Sequence, residues 1–389
     1  MSRHWPTFEE VARAKKEFTT GFDYLRVGLA LAVVLVHCAS IASPDAWRWL
    51  WMSWFGPVER AILPAFFALS GYLVAGSATR NTLPQFVALR IFRIVPALAV
   101  EICLTAFILG TAVTTLPLNQ YFASSEFHAY FLNIIGIIHY TLPGVFEGKQ
   151  LNAQLWTIPF EFECYALLVG LTIATVVRRK HALLALLLAG SMIMTAIAVA
   201  GSMYTTNWNV PGRMLVVAFI AGVILYIYRS SVRHNIWIAI ACAILSYVTL
   251  NFANTVFLAA LPLAYLTIYA GLFRPPAIPF GDLSYGVYLF HFPVARALYE
   301  LSGGNLVWLT LLIPTLIITT VFAAASWRFV EKPVLDRKKL LLSYIDSASE
   351  SVQGAFASRK KSMTNCKTCG RPSEGKECEN CYLLRQSVM

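Results

Sequence analysis

Ten long apolar segments run through the chain, and they constrain its fold more than any other feature of the sequence. Each has about 17–22 residues, the length that an α-helix needs to cross the hydrocarbon core of a bilayer. The predicted spans are residues 25–43, 57–78, 94–114, 155–177, 182–201, 212–228, 235–252, 256–272, 283–301 and 308–328. The apolar runs are continuous and do not alternate, which disfavours an outer-membrane β-barrel. The sequence therefore predicts an all-α, polytopic helix bundle that is integral to a membrane.

Composition supports this prediction and excludes most soluble classes. Of the 389 residues, 58% are hydrophobic and 13% are charged, and the mean hydropathy is +0.62. An ordinary soluble domain is about one quarter charged, so a water-soluble enzyme is nearly excluded. In a membrane protein, the net charge of +11 indicates that the cytoplasmic loops are basic. We expect the protein to contact membrane lipids. We expect no nucleic-acid partner.

A weaker apolar segment at about 127–142 differs from the ten spans. It is short and polar in places, so we interpret it as re-entrant or interfacial. The longer outer segment around it, roughly 115–154, combines aromatic rings with five amides: Asn119, Gln120, Asn133, Asn152 and Gln154. Amides with rings suit contact with carbohydrate, although any solvated loop can have this composition.

Basic residues are distributed unevenly between the two sides that ten crossings define. The predicted inner segments hold Arg80, Arg90, Arg93, Arg178, Arg179, Lys180, Arg229, Arg233, Arg274, Arg328, Lys332, Arg337, Lys338 and Lys339. The predicted outer loops hold only Arg48, Arg60, Lys149 and Arg213. Because cytoplasmic loops of membrane proteins carry the excess of Lys and Arg, we predict that both termini are cytoplasmic.

The composition divides the chain into four parts. Residues 1–20 are a predicted cytoplasmic lead-in with no visible signal peptide, and residues 21–340 are the transmembrane domain. Residues 341–364 are rich in Ser, Lys and Glu, which predicts a flexible linker. Residues 365–389 form a small cytoplasmic tail.

The tail carries a metal-binding pattern. Cys366 and Cys369 form one C-x-x-C pair, and Cys378 and Cys381 form a second after eight intervening residues. Paired thiolates at this spacing favour tetrahedral zinc, and a reducing cytoplasm disfavours disulfides. Four cysteine ligands leave no open position for catalysis. We therefore predict a structural zinc site, with docking of a protein partner as a further expectation.

The first span contains an ionisable residue deep in the membrane. Arg26 and His37 are eleven residues apart, which is three helical turns and about 16 Å along the helix axis. If Arg26 marks the inner surface, His37 lies close to the middle of the membrane. A charge at that depth is costly, so His37 is a functional candidate. A structural hydrogen bond to a neighbouring helix is the alternative.

Two later spans also carry polar residues at compatible depths. Glu161 lies about two turns inside the outer edge of its span. Ser284, Tyr288 and His291 share one helical face by their spacing of four and three residues. Two histidines and a glutamate at these depths predict either a hydrated cavity or a purely structural network.

Two arginines lie at the inner rim of the third span. Arg90 and Arg93 are three residues apart and therefore share a helical face. Guanidinium groups match phosphate oxygens bidentately, which favours a phosphate-bearing ligand. Arginines that flank spans also bind lipid headgroups, so this pair alone does not decide the matter.

Taken together, six motifs resemble those of the membrane-bound acyltransferase-3 family. They occur in family order as FDYLRVGLALAVVLVH (22–37), PAFFALSGYLVAGS (64–77), RIFRIVPAL (90–98), LWTIPFEFECY (155–165), GDLSYGVYLFHFPV (281–294) and FVEKPVLDR (329–337). The family O-acylates polysaccharides, lipopolysaccharide, Nod factors and peptidoglycan. The resemblance implies transfer of an acyl group, usually acetyl, from cytoplasmic acyl-CoA to a hydroxyl of an envelope glycan or lipid-linked oligosaccharide, in the bacterial inner membrane.

The resemblance also implies roles for individual residues. His37 is similar to the family's catalytic histidine and Arg26 to its companion, while Arg90 and Arg93 resemble the pair that holds the phosphates of coenzyme A. Glu161 falls where the family has a glutamate, although the family often has Glu-Glu-Gln and this chain has Glu-Phe-Glu. Ser284, Tyr288 and His291 match a late motif with a substrate-binding or supporting role.

The chemistry of acyl transfer is compatible with these roles. A base must take the proton of the attacking hydroxyl, and neutral imidazole suits this at neutral pH. A nearby carboxylate is expected to orient the ring. Two alternatives stay open: a transporter or flippase that uses the same buried polar residues, and a sensor that signals through the zinc tail. The lack of a clear inverted repeat disfavours the transporter.

Overall fold

The computed structural model describes residues 5–14, 20–174, 177, 179–201, 210–278, 282–337, 340, 342–343, 345, 364–365 and 372–373. Its α-helices are α1 (Phe8–Ala14), α2 (Thr20–Ala42), α3 (Pro44–Met52), α4 (Gly56–Ala78), α5 (Leu83–Val113), α6 (Leu118–Ala123), α7 (Ser125–Tyr130), α8 (Ile158–Ile173), α9 (Lys180–Val199), α10 (Gly212–Ile227), α11 (Ile236–Leu250), α12 (Ala260–Gly271), α13 (Ser284–Leu301) and α14 (Trp308–Asp336). Short 3₁₀ turns are formed by Phe131–Ile135, Phe146–Gly148, Ala153–Thr157 and Ala253–Ala259.

The helix lengths confirm the polytopic bundle. Within the described residues, seven helices are long and apolar enough to cross a membrane: α2, α4, α5, α9, α14, and α8 and α12 when counted with the 3₁₀ turns before them. The helices α10 and α11 are apolar but shorter, and α13 has 18 residues. These ten helices coincide with the ten segments predicted from the sequence.

The helices α4 and α10 pack closely against each other. A β-carbon on Gly71 would lie 2.0 Å from the carbonyl oxygen of Phe219, and one on Gly222 would lie 2.0 Å from that of Ala68. Only glycine therefore fits at these two positions, and the two backbones touch. Small residues at such contacts are the usual way in which membrane helices associate.

The helix α13 joins the first and the last spans of the chain. It packs against α2, α5 and α14. Gly286 allows α13 to approach α14 closely, because a β-carbon at this position would lie 2.8 Å from that of Ala323 in α14. The arrangement places the polar face of α13 next to the histidine of α2.

The outer segment has short helices, and none of them is long enough to cross a membrane. The segment 127–142 contains the end of α7 and one 3₁₀ turn. Three of the five amides in this segment, Asn133, Asn152 and Gln154, are fully buried, so their side chains are not presented at the surface for contact with carbohydrate. Asn133 donates to the carbonyl oxygens of Tyr130 and His139, at 2.7 and 2.9 Å, so it holds the turn together.

The lead-in packs on the end of the bundle that the charge distribution predicts to be cytoplasmic. Phe8 is completely buried, and its N–H donates to the carbonyl oxygen of Val232 at 2.9 Å. At the other end of the chain, the strands β1 (Thr364–Asn365) and β2 (Pro372–Ser373) pair antiparallel. The four cysteines of the predicted zinc site lie outside the described residues.

Candidate functional site

The two predicted histidines meet in the bundle. Nδ1 of His37 in α2 lies 2.7 Å from Nε2 of His291 in α13, and the two rings lie edge to edge, with their centroids 5.0 Å and their planes 9° apart. His291 is completely buried, whereas His37 is partly exposed. Phe292 packs edge-on against His37, with the ring centroids 5.1 Å apart. The sequence predicted a common depth, and the structure adds direct contact.

A proline in α13 explains how His291 is held. Pro293 has no N–H, so the carbonyl oxygen of Leu289 has no donor within the helix. The side-chain amide of Gln154 donates to that oxygen at 2.7 Å. The 3₁₀ turn that precedes α8 is therefore tied to α13 two residues before His291.

Tyr288 ties the same turn to α13 a second time. Its hydroxyl donates to the carbonyl oxygen of Gln154 at 2.7 Å and lies 2.6 Å from the hydroxyl of Thr157. The Thr157 hydroxyl also lies 3.3 Å from the same carbonyl oxygen. Both tyrosine contacts are buried and fix the direction of the ring.

An ionic network lies at the predicted cytoplasmic ends of the same helices. Asp282 accepts hydrogen bonds from Arg93 and, at 3.2 Å, from Arg26, and it also accepts the Ser284 hydroxyl at 2.5 Å. Arg93 further faces Glu331 at 3.6 Å. Burial alone would raise the pKa of Asp282, but Arg93, Arg26 and Ser284 stabilise the carboxylate and lower that pKa below its usual value.

A cavity of about 950 Å³, counted to its mouth, adjoins this network. Its polar lining comprises Arg26, Ser70, Arg90, Arg93, Thr157, Glu161, Cys164, Tyr165, Ser284, Tyr285 and Tyr288. The rest of the wall is apolar. Every predicted site residue of the transmembrane domain except the two histidines lines this one space. His37 and His291 are not among the lining residues.

Glu161 lies in this cavity and not beside the imidazoles. Its carboxylate accepts the hydroxyl of Tyr165 at 2.6 Å. The partner of His37 Nδ1 is His291, and no bond between a carboxylate and the His37 ring, of the kind expected from the sequence, occurs among the described residues. Glu161 instead belongs with Arg90 on the cavity wall.

Two aromatic side chains reach from the cavity towards the histidines. Phe66 and Tyr288 both line the cavity, and their ring centroids are 6.3 Å apart. The Tyr288 centroid is 6.0 Å from that of His291, and Phe66 packs into the apolar cluster that contains Cys38 and Phe292. We call Phe66 and Tyr288 the aromatic partition, because both line the cavity and Tyr288 also lies beside His291.

Sequence reasoning missed three residues of this site. Asp282, Tyr165 and Gln154 each bond a predicted site residue or the helix that carries one. Asp282 gave a weak signal as an acidic residue immediately before a span. Gln154 gave none, because only the packing of its turn on α13 reveals the carbonyl that it satisfies.

The polar groups that the site presents are imidazole, carboxylate, hydroxyl and guanidinium. The described part of the chain has no cluster of three or more His, Cys, Asp or Glu side chains arranged to hold a metal ion.

Comparison with known proteins identifies the fold and the general activity. A family model described as an acyltransferase domain matches residues 19–328, from the start of α2 to the inner part of α14. The chain belongs to the acyltransferase-3 family. The family assignment makes it a membrane acyltransferase and favours that activity over the transporter and sensor hypotheses.

Two curated proteins resemble this acyltransferase over most of their length. One is an O-acetyl transferase of Shigella phage Sf6, 24% identical over 351 residues, which covers 83% of this chain and 98% of the relative. The other is Nodulation protein 10 of Rhizobium leguminosarum bv. viciae, 27% identical over 354 residues, covering 83% and 95%. No solved structure matches the chain.

Proposed function

We propose that the acyltransferase moves an acyl group, acetyl in the first instance, from cytoplasmic acyl-CoA to a hydroxyl of an extracytoplasmic polysaccharide or lipid-linked glycan. The observation that carries this proposal is the arginine-lined cavity, which ends at an aromatic partition behind which two imidazoles meet. The similarity to a phage O-acetyl transferase supports acetyl as the group transferred. The bacterial inner membrane is the compartment that fits this chemistry.

The donor site is the cavity. With the predicted orientation, Arg26, Arg90 and Arg93 lie at its cytoplasmic end, where the phosphates of coenzyme A would be attracted. Arg90 is the cation best available to them, because Arg26 and Arg93 both pair with Asp282, whereas Arg90 has no ion pair among the described residues. The pantetheine arm would then extend along the apolar wall, with Glu161 accepting one of its N–H or O–H groups.

The chemical step needs only the groups of this site and its two substrates. Nε2 of His37 takes the proton of the acceptor hydroxyl as its oxygen attacks the thioester carbonyl carbon. The C–S bond then breaks, and the imidazolium returns the proton to the departing thiolate. The products are the acylated glycan and free coenzyme A, and the histidine is unchanged.

The aromatic partition has to open for this step. Tyr288 is fixed by two hydrogen bonds, whereas Phe66 has no polar atom to tether it. We therefore assign the movement to Phe66, whose ring would rotate aside as the thioester advances towards His37.

The cysteine tail is a separate proposal. Four thiolates in two C-x-x-C pairs suit tetrahedral zinc, and such a site would act in structure or in docking a protein partner and not in acyl transfer.

The experiment compares envelope glycans from wild-type cells, a deletion strain, and deletion strains that express either the wild-type chain or His37→Ala. Mass spectrometry should find one acetyl group per modified residue only with the wild-type chain. Equal acetylation in the His37→Ala strain would remove His37 as the base. Equal acetylation in the deletion strain would remove the proposed activity itself.

A further inference from the structure

We propose that His291 is a positioning residue that fixes the tautomer of His37 and thereby directs its basic nitrogen towards the acceptor hydroxyl. The inference rests on the proposed acyl transfer but concerns a residue that would not itself touch either substrate. Two consecutive hydrogen bonds carry it, because together they fix the place of each hydrogen atom on the two rings.

The first bond lies within α13. Nδ1 of His291 lies 2.7 Å from the carbonyl oxygen of Tyr288 and 3.2 Å from that of Val287. A carbonyl oxygen can only accept, so Nδ1 of His291 must carry a hydrogen. Neutral imidazole has a single N–H, and Nε2 of His291 is therefore a lone-pair acceptor.

The second bond joins His291 to His37 in α2 and fixes which nitrogen of His37 carries the proton. Nδ1 of His37 lies 2.7 Å from the acceptor nitrogen of His291 and must be its donor. Nε2 of His37 is then left with the lone pair, which is the form that a general base needs. The opposite tautomer of His37 would set two lone pairs against each other at this distance.

The surroundings favour the neutral form of His291. The ring is completely buried, and its neighbours in α13 include Leu289, Phe290 and Phe292, which are buried and apolar. A positively charged His291 ring would lose its hydration among these apolar side chains, which is energetically costly. Hydrogen-bond geometry and burial therefore select one arrangement of the protons.

The pair also accommodates the charge that forms during transfer. When Nε2 of His37 takes the acceptor proton, the bond between the two rings gains a cationic donor and becomes stronger. His291 keeps its own Nδ1 proton throughout, and the transferred proton leaves with the thiolate. His291 thus acts on the reaction only through His37.

The test uses two variants of one position in the purified full-length chain. In His291→Gln, the amide oxygen can still accept from His37 while the NH₂ group donates to the backbone, whereas His291→Leu offers no acceptor. With acetyl-CoA as donor, we expect His291→Leu to lower kcat by roughly 100-fold or more and to leave the KM for acetyl-CoA unchanged. His291→Gln should retain at least about a tenth of wild-type kcat. Equal kcat in the two variants would overturn the proposal.

A spectroscopic measurement keeps the proposal testable if His291→Leu does not fold. ¹⁵N NMR of histidine-labelled wild-type protein should show His37 protonated at Nδ1 and unprotonated at Nε2, with His37→Ala identifying the signals. The opposite tautomer would overturn the inference even in a fully active enzyme. If instead the tautomer is as predicted and the wild-type protein itself transfers no acetyl group, the proposed function fails and the positioning role of His291 in the resting protein stands.

Discussion

Arg90 and Arg93 lie one turn apart on α5, yet only Arg93 is bonded to carboxylates among the described residues. Arg93 pairs with Asp282 and faces Glu331, and its guanidinium packs over Tyr285 and Trp327 at 5.9 Å. Arg90 packs over Phe86 at 5.9 Å and has no ion pair within that part of the chain. The two arginines predicted as an equivalent phosphate clamp therefore have different neighbours and should respond differently to substitution.

Replacing Arg90 should weaken the donor site. Loss of a hydrogen bond between charged groups costs about 1.5–3 kcal/mol, so we expect Arg90→Ala to raise the KM for acetyl-CoA by about 10- to 100-fold. Steady-state kinetics of purified protein would measure this. Arg90→Lys is the matched control that keeps the charge and should lose less. An unchanged KM in Arg90→Ala would move the phosphate site elsewhere.

Removing Asp282 should destabilise the bundle in a pH-dependent way. Asp282→Asn leaves Arg26 and Arg93 without their shared carboxylate, which we expect to lower the free energy of unfolding by about 3 kcal/mol. Because the folded-state pKa of Asp282 lies below its usual value of 3.8, the ionised group stabilises the fold above that pH, and the contribution is lost as the pH falls further.

Thermal unfolding in detergent should therefore show a constant difference between wild type and Asp282→Asn from about pH 8 to pH 5, and a smaller one below about pH 4. A difference that disappears already near neutral pH would contradict the assignment.

Gln154 and Pro293 should form a compensating pair. Gln154→Leu leaves the buried carbonyl oxygen of Leu289 without a donor, which we expect to cost about 1–3 kcal/mol of stability. Pro293→Ala supplies the missing helical N–H to that oxygen. In a double-mutant cycle, Gln154→Leu should therefore be less damaging in the Pro293→Ala background than in the wild type. Additive effects would mean that the two residues do not serve the same carbonyl.

Glu161→Gln separates a role in the donor cavity from a role at the imidazoles. The amide oxygen of Gln can still accept a hydrogen bond from Tyr165, but the variant loses the negative charge that would accept a hydrogen bond from acetyl-CoA. We therefore expect kcat/KM for acetyl-CoA to fall about tenfold. The ¹⁵N signals of His37 should not change, because the carboxylate does not touch that ring. A changed His37 tautomer in this variant would restore the orienting role expected from the sequence.

Phe66 should control the size of the acyl group that passes the aromatic partition. We expect Phe66→Ala to raise the kcat/KM of butyryl-CoA relative to acetyl-CoA by about tenfold, since each methylene in a restrictive pocket is worth about 1–3 kcal/mol. Phe67 also lines the cavity but packs into a different apolar cluster, one that contains Phe219, so Phe67→Ala is a control for added volume. Equal shifts in both variants would contradict the gating role of Phe66.

Features that depend on depth and spacing along a single helix were predictable from the sequence. Ten apolar segments became ten helices, and the cost of burying ionisable groups singled out His37, Glu161 and His291 before any packing was known. Spacing also placed Ser284 and Tyr288 on one face, and both line the cavity.

Contacts between helices could not be predicted from the sequence. Depth alone did not distinguish a histidine that faces Glu161 from one that faces His291, because the answer depends on how α2 and α13 pack. For a similar reason, the sequence left the role of the amides in the outer segment open. Asn133 and Gln154 satisfy buried carbonyl oxygens, a demand that arises only once the turns and helices around them have formed.

Transfer by the purified protein tests the proposed reaction most directly. Wild-type protein and His37→Ala would be reconstituted in lipid nanodiscs with acetyl-CoA labelled in the acetyl group and with envelope glycans extracted from the deletion strain. We expect labelled glycan and an equal amount of free coenzyme A with the wild-type protein, and neither with His37→Ala. Labelled glycan at the wild-type rate with His37→Ala, or none with the wild-type protein, would contradict the proposed reaction.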